Sequence, residues 1–205
     1  NLSICVPSFY PDKIYNLYKS IQDNFHREFE LIVCGPQEPD YKPIIDRNLI
    51  YIKDFGSPAR CCNIAANQAT GEYITFIADD ATYLNKSISR AIIKLEKWEE
   101  VHGNSYQHIV VVKYVEGNME WWKITLGSYL EGATLNSAYP QCISVAGHWL
   151  HFNTIYLHRQ YFLAMGGYDS LIFETPHFAA ADLSVRCYRN MCTTELMDEA
   201  TYVVT

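Results

Sequence analysis

Short apolar runs alternate with helix-period segments through residues 1–100, and this alternation restricts the possible folds more than any other feature of the chain. Residues 2–6, 29–34, 49–53 and 72–78 are each an apolar run of strand length. Runs this short, without polar alternation, are expected of strands buried on both faces. Pro7 closes the first run and Gly35-Pro36 the second. Asp12 is placed to cap a helix whose apolar positions Ile14, Leu17, Tyr18, Ile21 and Phe25 make one stripe. Ser57-Pro58 opens a second helix, with proline in its first turn. The inward face of that helix is Ala59, Cys62, Ala65, Ala66 and Ala69, small enough to lie close on a sheet, and Gly71 ends it. Asn85 stands as cap of a third helix with Ile88, Ala91, Ile92, Leu95 and Trp98 inward. Strand–helix–strand units of this length imply an α/β fold: a mostly parallel central sheet flanked by helices. Such sheets bind ligands beyond the carboxyl ends of their strands. Residues 7–10, 34–39 and 78–80 are therefore the places to look for a site.

The second half, residues 101–205, reads differently, as a smaller antiparallel part. Residues 108–115 are strand-like. Residues 118–139, rich in aromatics, glycine and asparagine, form a long excursion. Residues 143–158 alternate enough for one or two antiparallel strands, with a helix after His158. Gly166-Gly167 is a turn, 182–190 a helix and 193–205 a last strand. The chain closes on an apolar run, as a domain followed by further ones would. Its length of 205 residues fits a single domain with two unequal halves.

Net charge is −7 and no run of lysine or arginine occurs, which argues against nucleic acid or an anionic membrane as partner. No apolar stretch approaches the roughly 18 residues of a membrane span. Seven cysteines, an odd number without a C-x-x-C pair, read as reduced thiols packed as small hydrophobes, which favours the cytoplasm. Cys142, His148 and His151 match no standard zinc spacing.

The segment YITFIADDATY, residues 73–83, carries the strongest chemical signal. Two adjacent carboxylates cannot sit inside a strand, so Asp79 and Asp80 lie at its exposed end. They suit Mg2+ or Mn2+, whose shell ligand phosphates complete; the plainer reading is a solvated turn. Upstream, Gly56 and Ser57 precede a helix start whose amides can hold an anion. Arg60 sits in that first turn against the helix dipole, either serving a ligand phosphate or base or simply facing solvent. His148 and His151 bracket Trp149 on a strand-like segment. They face opposite sides, so at most one reaches a site, as a metal ligand or phosphate contact; otherwise they are structural. Trp121, Trp122 and Tyr129 either stack on an acceptor sugar or cover the core.

These segments, SICVPSFYP, FELIVC and GSPARCCNIAANQATGEYITFIADDATY, resemble the donor half of glycosyltransferase family 2 and its relatives of the GT-A fold. Pro7, Ser8 and Tyr10 match the family's opening "I-P-x-Y" turn. Ala59, Arg60, Ala69, Gly71 and Tyr73 match its "A-R-N-x-x-x-x-x-A-x-G-x-Y" helix, and Asp79 and Asp80 its acidic strand end. Gly166 to Asp169 is similar to "G-G-F/Y-D", and residues 182–186, DLSVR, to the helix that follows. The overall texture resembles glycosyltransferases of large algal viruses, which would place the chain in host cytoplasm.

The resemblance implies a metal-dependent glycosyltransferase with a nucleoside-diphosphate sugar donor, a UDP-sugar above all, and a glycan acceptor. It implies that Pro7, Ser8, Tyr10, Gly35 and Ser57 bind the donor, with Arg60 on base or phosphate. Asp79 would face ribose or metal, and Asp80 the metal that bridges the diphosphate. Two departures stand out. The family's aspartate after the second strand is replaced by Cys34-Gly35-Pro36-Gln37, leaving Asp40 or Asp54 as substitutes. Its "Glu-Asp" pair, the source of the base, is Ala179-Ala180 here. Asp182 is then either base or helix cap, and Glu174, Asp169 and His177 are the other bases to consider. A sugar nucleotidyltransferase is disfavoured, since VPSFYPDK lacks glycine. A binding module without catalysis stays compatible with the missing pair.

Overall fold

The computed structural model describes residues 1–39, 48–103, 106–116, 142–151 and 154–204. Asp40, Trp121, Trp122 and Tyr129 lie outside them. The chain builds an eight-stranded sheet from β1 (Leu2–Pro7), β2 (Phe29–Gly35), β3 (Leu49–Lys53), β4 (Tyr73–Phe76), β5 (Ala81–Tyr83), β6 (His108–Glu116), β9 (Ile155–His158) and β10 (Thr193–Val204). Their order is β3-β2-β1-β4-β9-β6-β10-β5. Pairing is parallel except around β9 and β5. A separate antiparallel hairpin, β7 (Cys142–Val145) and β8 (His148–His151), stands beside it. The expected α/β class and both halves of its sheet logic are present.

Helices cover both faces, as the unbroken apolar runs require. On one face α1 (Ile14–Asn24) and α3 (Ser87–His102) bury Leu17, Ile21, Ile88 and Ile92 against Ile4, Val6, Leu31 and Val33. On the other, α2 (Pro58–Gln68), α4 (Arg159–Ala164) and α5 (Pro176–Arg189) pack on Cys5, Ile32 and Cys34. Neighbours along a strand thus go to opposite cores, each fully buried. Truncating one of them, such as Ile4, to alanine costs about 2–5 kcal/mol. All seven thiols are buried and unbridged.

Three helix starts differ from expectation. Asp12 lies in a 3-10 turn, Pro11–Lys13, that runs directly into α1, so no side chain caps it. Asn85 does not cap α3: Asn85 and Lys86 both take positive φ, and the Oδ1 of Asn24 accepts the Lys86 amide instead. α5 begins at Pro176, six residues before 182, with proline in its first turn. Asp182 is therefore mid-helix and caps nothing.

Candidate functional site at the carboxyl edge of the sheet

β4 lies in the middle of the sheet and β5 at its far edge, yet only residues 77–80 separate them in the chain. Five peptide steps reach at most about 18 Å. A flat sheet would put β5 about 19 Å away, at about 4.8 Å per strand. The sheet curls, and residues 77–80 cross over the ends of β9, β6 and β10. Beneath this crossing is a cavity of about 350 Å³. Ile77, Ala78 and Asp80 line it from the crossing; Thr154, Tyr114 and Tyr202 line it from the strand ends below. Ala59 and Cys62 contribute the α2 wall, and Pro176, His177 and Ala180 the α5 wall.

The two adjacent aspartates divide their work. Asp79 is buried, and its Oδ2 accepts hydrogen bonds from the Ser8 hydroxyl (2.9 Å), the Phe9 amide (2.9 Å) and the Tyr10 amide (2.7 Å). It fixes the loop after β1, where Pro7 lines the cavity and the Phe9 and Tyr10 rings stand exposed. Asp80 lines the cavity, and the Lys13 ammonium is 3.9 Å from its carboxylate. The same loop is braced from β2. The Ser8 amide donates to the Cys34 carbonyl at 2.9 Å, and a Cβ on Gly35 would sit 2.0 Å from the Ser8 carbonyl oxygen. Gly35 is thus required for close packing of two strand ends.

Ser57 caps α2, its Oγ accepting the Arg60 amide at 3.3 Å. The Arg60 side chain turns outward to Asp54: Nε donates to Oδ1 and Nη2 to Oδ2, both at 3.0 Å. This guanidinium holds the Asp54 carboxyl below its usual range. Neither side chain lines the cavity. The family spacing explains the misplacement. Asparagine, then five residues, then alanine-x-glycine-x-tyrosine is met by Asn63, Ala69, Gly71 and Tyr73, while position 61 is Cys61. The same count puts Cys62, a cavity residue whose thiol burial pushes up, in the arginine's place. Counting back from Ala69 would have found Asn63 in the sequence.

His148 and His151 do not join the aspartates. β8 packs under α5, with the His151 amide donating to the Ser184 hydroxyl at 2.8 Å and the His148 ring 5.0 Å from that of Tyr188. Both are buried, and burial lowers His151 to about 3. Among the described residues no three His, Cys, Asp or Glu side chains gather as metal ligands, which also removes the Cys142, His148, His151 grouping. Asp182 is paired with Arg186, whose Nε donates to Oδ2 at 2.8 Å. It is absent from the cavity wall, which His177 reaches from the first turn of α5. The Tyr202 hydroxyl, 2.8 Å from Thr154 Oγ1 and with its ring stacked on Tyr114, gives the cavity an aromatic floor that no spacing in the sequence announced.

No protein-family profile and no curated protein sequence matches the chain. Solved structures do. S. aureus TarS residues 1–349 superposes with a TM-score of 0.67 at 16% identity, over 100% of this chain and 60% of that one. The same fragment in complex with UDP-GlcNAc gives 0.64 at 20% identity, covering 100% and 58%. The mannosyltransferase PcManGT of Pyrobaculum calidifontis, in complex with GDP-Man and Mn2+, gives 0.62 at 13%, covering 98% and 56%. The fold is GT-A-like, and the chain spans about 60% of the TarS fragment's length. The algal-virus texture finds no support among these neighbours.

Proposed function

We propose that the chain is a glycosyltransferase that moves a sugar from a nucleoside-diphosphate donor, a UDP-sugar first, onto a glycan acceptor at the Asp80 cavity. The observation that carries this reading is the split of the aspartate pair. Asp79 locks the loop after β1 while Asp80 lines the cavity at the carboxyl edge of a parallel sheet. Neighbours of the same fold hold UDP-GlcNAc and GDP-Man, which supports a nucleotide sugar. The exposed Phe9 and Tyr10 rings offer apolar faces to a base, and Pro7 and Ser8 shape the loop beneath them.

The site suits a hard divalent cation, Mn2+ or Mg2+: Asp80 is an oxygen donor facing the cavity, and such ions are held by one or two carboxylates with phosphates and water completing the shell. Asp80, with the remaining oxygen of Asp79, would hold it, and it would offset charge on the departing diphosphate. Lys13 adds positive charge beside Asp80. His177 is the base we assign, because it is the imidazole on the cavity wall, opposite the α2 face. Asp182 keeps Arg186 in place. Trp121 and Trp122 are assigned to the acceptor from the sequence alone, as aromatic rings suited to stacking on a sugar. No described helix is long and apolar enough to cross a membrane, and seven unbridged thiols favour a reducing compartment, the cytoplasm.

One observation favours a second reading, a sugar-nucleotide-binding module without turnover: Ala179 and Ala180 stand where the family's carboxylate pair would be. Calorimetric titration of UDP and UDP-sugars, with and without Mn2+, on wild type and Asp80→Ala, tests the first. Metal-dependent binding lost in the variant supports it, and binding indifferent to both refutes it. Turnover of a bound donor then excludes the module.

A further inference from the structure

The turn at residues 166–168 is held from two helices at once. From α2, the Asn63 amide grips the main chain of Tyr168 in both directions: Nδ2 donates to the Tyr168 carbonyl at 2.7 Å, and Oδ1 accepts the Tyr168 amide at 2.9 Å. From α5, Arg186 donates through Nη2 to the Gly167 carbonyl at 2.7 Å and through Nη1 to the Met165 carbonyl, while Asp182 orients its guanidinium. Gly167 has a positive φ of 65°, and a Cβ there would lie 2.6 Å from Asn63 Oδ1. The turn is therefore built around this amide. What it holds is Tyr168, a cavity residue whose buried ring packs on Phe76 and Phe162, with centroids 5.0 and 5.3 Å apart. Asn63 itself sits one turn beyond Ala59 and beside Cys62, the two α2 residues of the cavity wall.

We propose that Asn63 is a positioning residue for sugar transfer: its side-chain amide sets the distance between the α2 wall of the cavity and the wall made by Tyr168 and the chain leading to His177. This rests on the cavity's being the transfer site. An amide is suited to the task because it donates and accepts in one plane, matching a peptide's own carbonyl and N–H. The clamp does not touch the Ser8–Tyr10 loop or Asp79, so donor-nucleotide binding and turnover should separate.

The test compares wild type with Asn63→Asp, which keeps size and the acceptor for the Tyr168 amide but sets an oxygen against its carbonyl. UDP affinity is read by calorimetry, and kcat and KM by transfer from UDP-GlcNAc or whichever UDP-sugar wild type turns over. Arg186→Lys, which loses the fork but keeps the charge beside Asp182, is the second variant should Asn63→Asp fail to fold. Ile92→Val, on the buried face of α3, reports what simple destabilisation does. The expected result is kcat lowered at least about tenfold, since small misplacements at a reacting centre have effects up to about 10²-fold, with UDP affinity near wild type. Turnover near wild type in a folded Asn63→Asp, or equal losses of UDP affinity and kcat, or a matching loss in Ile92→Val, overturns the proposal. Absence of UDP binding and turnover in wild type would instead overturn the reading of the cavity on which it rests.

Discussion

The Asp79-Asp80 turn and the β7–β8 hairpin both present groups that bind cations, and they end in opposite situations. The aspartates follow a strand that points its carboxyl end out of the sheet. One is tied down by three donors and the other faces a cavity. The histidines of β8 lie under α5, and neither ring nitrogen of His151 has a hydrogen-bond partner among the described residues. Residue type therefore says little about a ligand role until the strand end is placed. A polar pair at the open edge of a parallel sheet is available for chemistry, whereas the same kind of pair beneath a helix is a cost that the fold carries.

Variants can break this comparison. Asp80→Ala should lower turnover by about 10³-fold if the cation that this carboxylate would hold offsets charge on the departing diphosphate, with the circular dichroism spectrum kept; transfer within tenfold of wild type would put the two regions on equal footing. His177→Ala should lower kcat by about 10²-fold as expected for loss of a general base, measured across pH at saturating donor.

The hairpin should show itself in stability. Burial holds His151 neutral down to about 3, and burial likewise lowers His108 to about 4. The unfolded chain takes up these protons near 6.5, so their contribution is complete above that pH and is lost as pH falls toward 3. His151→Leu should flatten the fall of unfolding free energy between pH 6 and 4 by up to about 1.4 kcal/mol per pH unit, one proton's worth, as read in urea titrations. An unchanged slope would mean that His151 is charged in the fold. Gly35→Ala should destabilise by about 1–3 kcal/mol, because the new methyl forces the Ser8 carbonyl to move, and should weaken UDP binding. Arg60→Ala should leave stability unchanged and UDP affinity within about threefold, since exposed ion pairs contribute little; a larger loss would return Arg60 to the phosphate site.

The parallel sheet and its three early helices were legible because periodicity records which face of each element is buried. Ile4 and Cys5, Leu31 and Ile32 go to opposite cores as unbroken runs imply. The acidic turn was legible because charge cannot stay inside a strand. What could not be read is the wiring between distant residues. Asp79 reaches back to Ser8 and Tyr10, and Asn63 reaches forward to Tyr168, and neither link leaves a spacing in the chain. The start of α5 was a different failure: Pro176 is a first-turn proline, but residues 177–181 carry no stripe strong enough to announce a helix. Which of the two readings of His148 and His151 applies could not be read, because sequence shows alternation along a strand but not which helix will cover it.

The position of β10 also bears on how the molecule is made. β5 borders only β10 in the sheet, and β5 is the far anchor of the crossing that carries Asp80. On a ribosome, residues 1–83 emerge early and can pair β1 with β2 and β4 at once. Until residues 193–204 have been translated the crossing lacks its strand partner and is held by Asp79 at the Ser8–Tyr10 loop and by the Tyr83 amide on the Ser20 hydroxyl of α1. Loop-closure entropy grows only slowly with the intervening length, so the delay is one of vectorial order more than of free energy. A nascent chain stalled before Thr193 would lack Tyr202 and Val204 of the cavity wall, which ties completion of the site to that of β10.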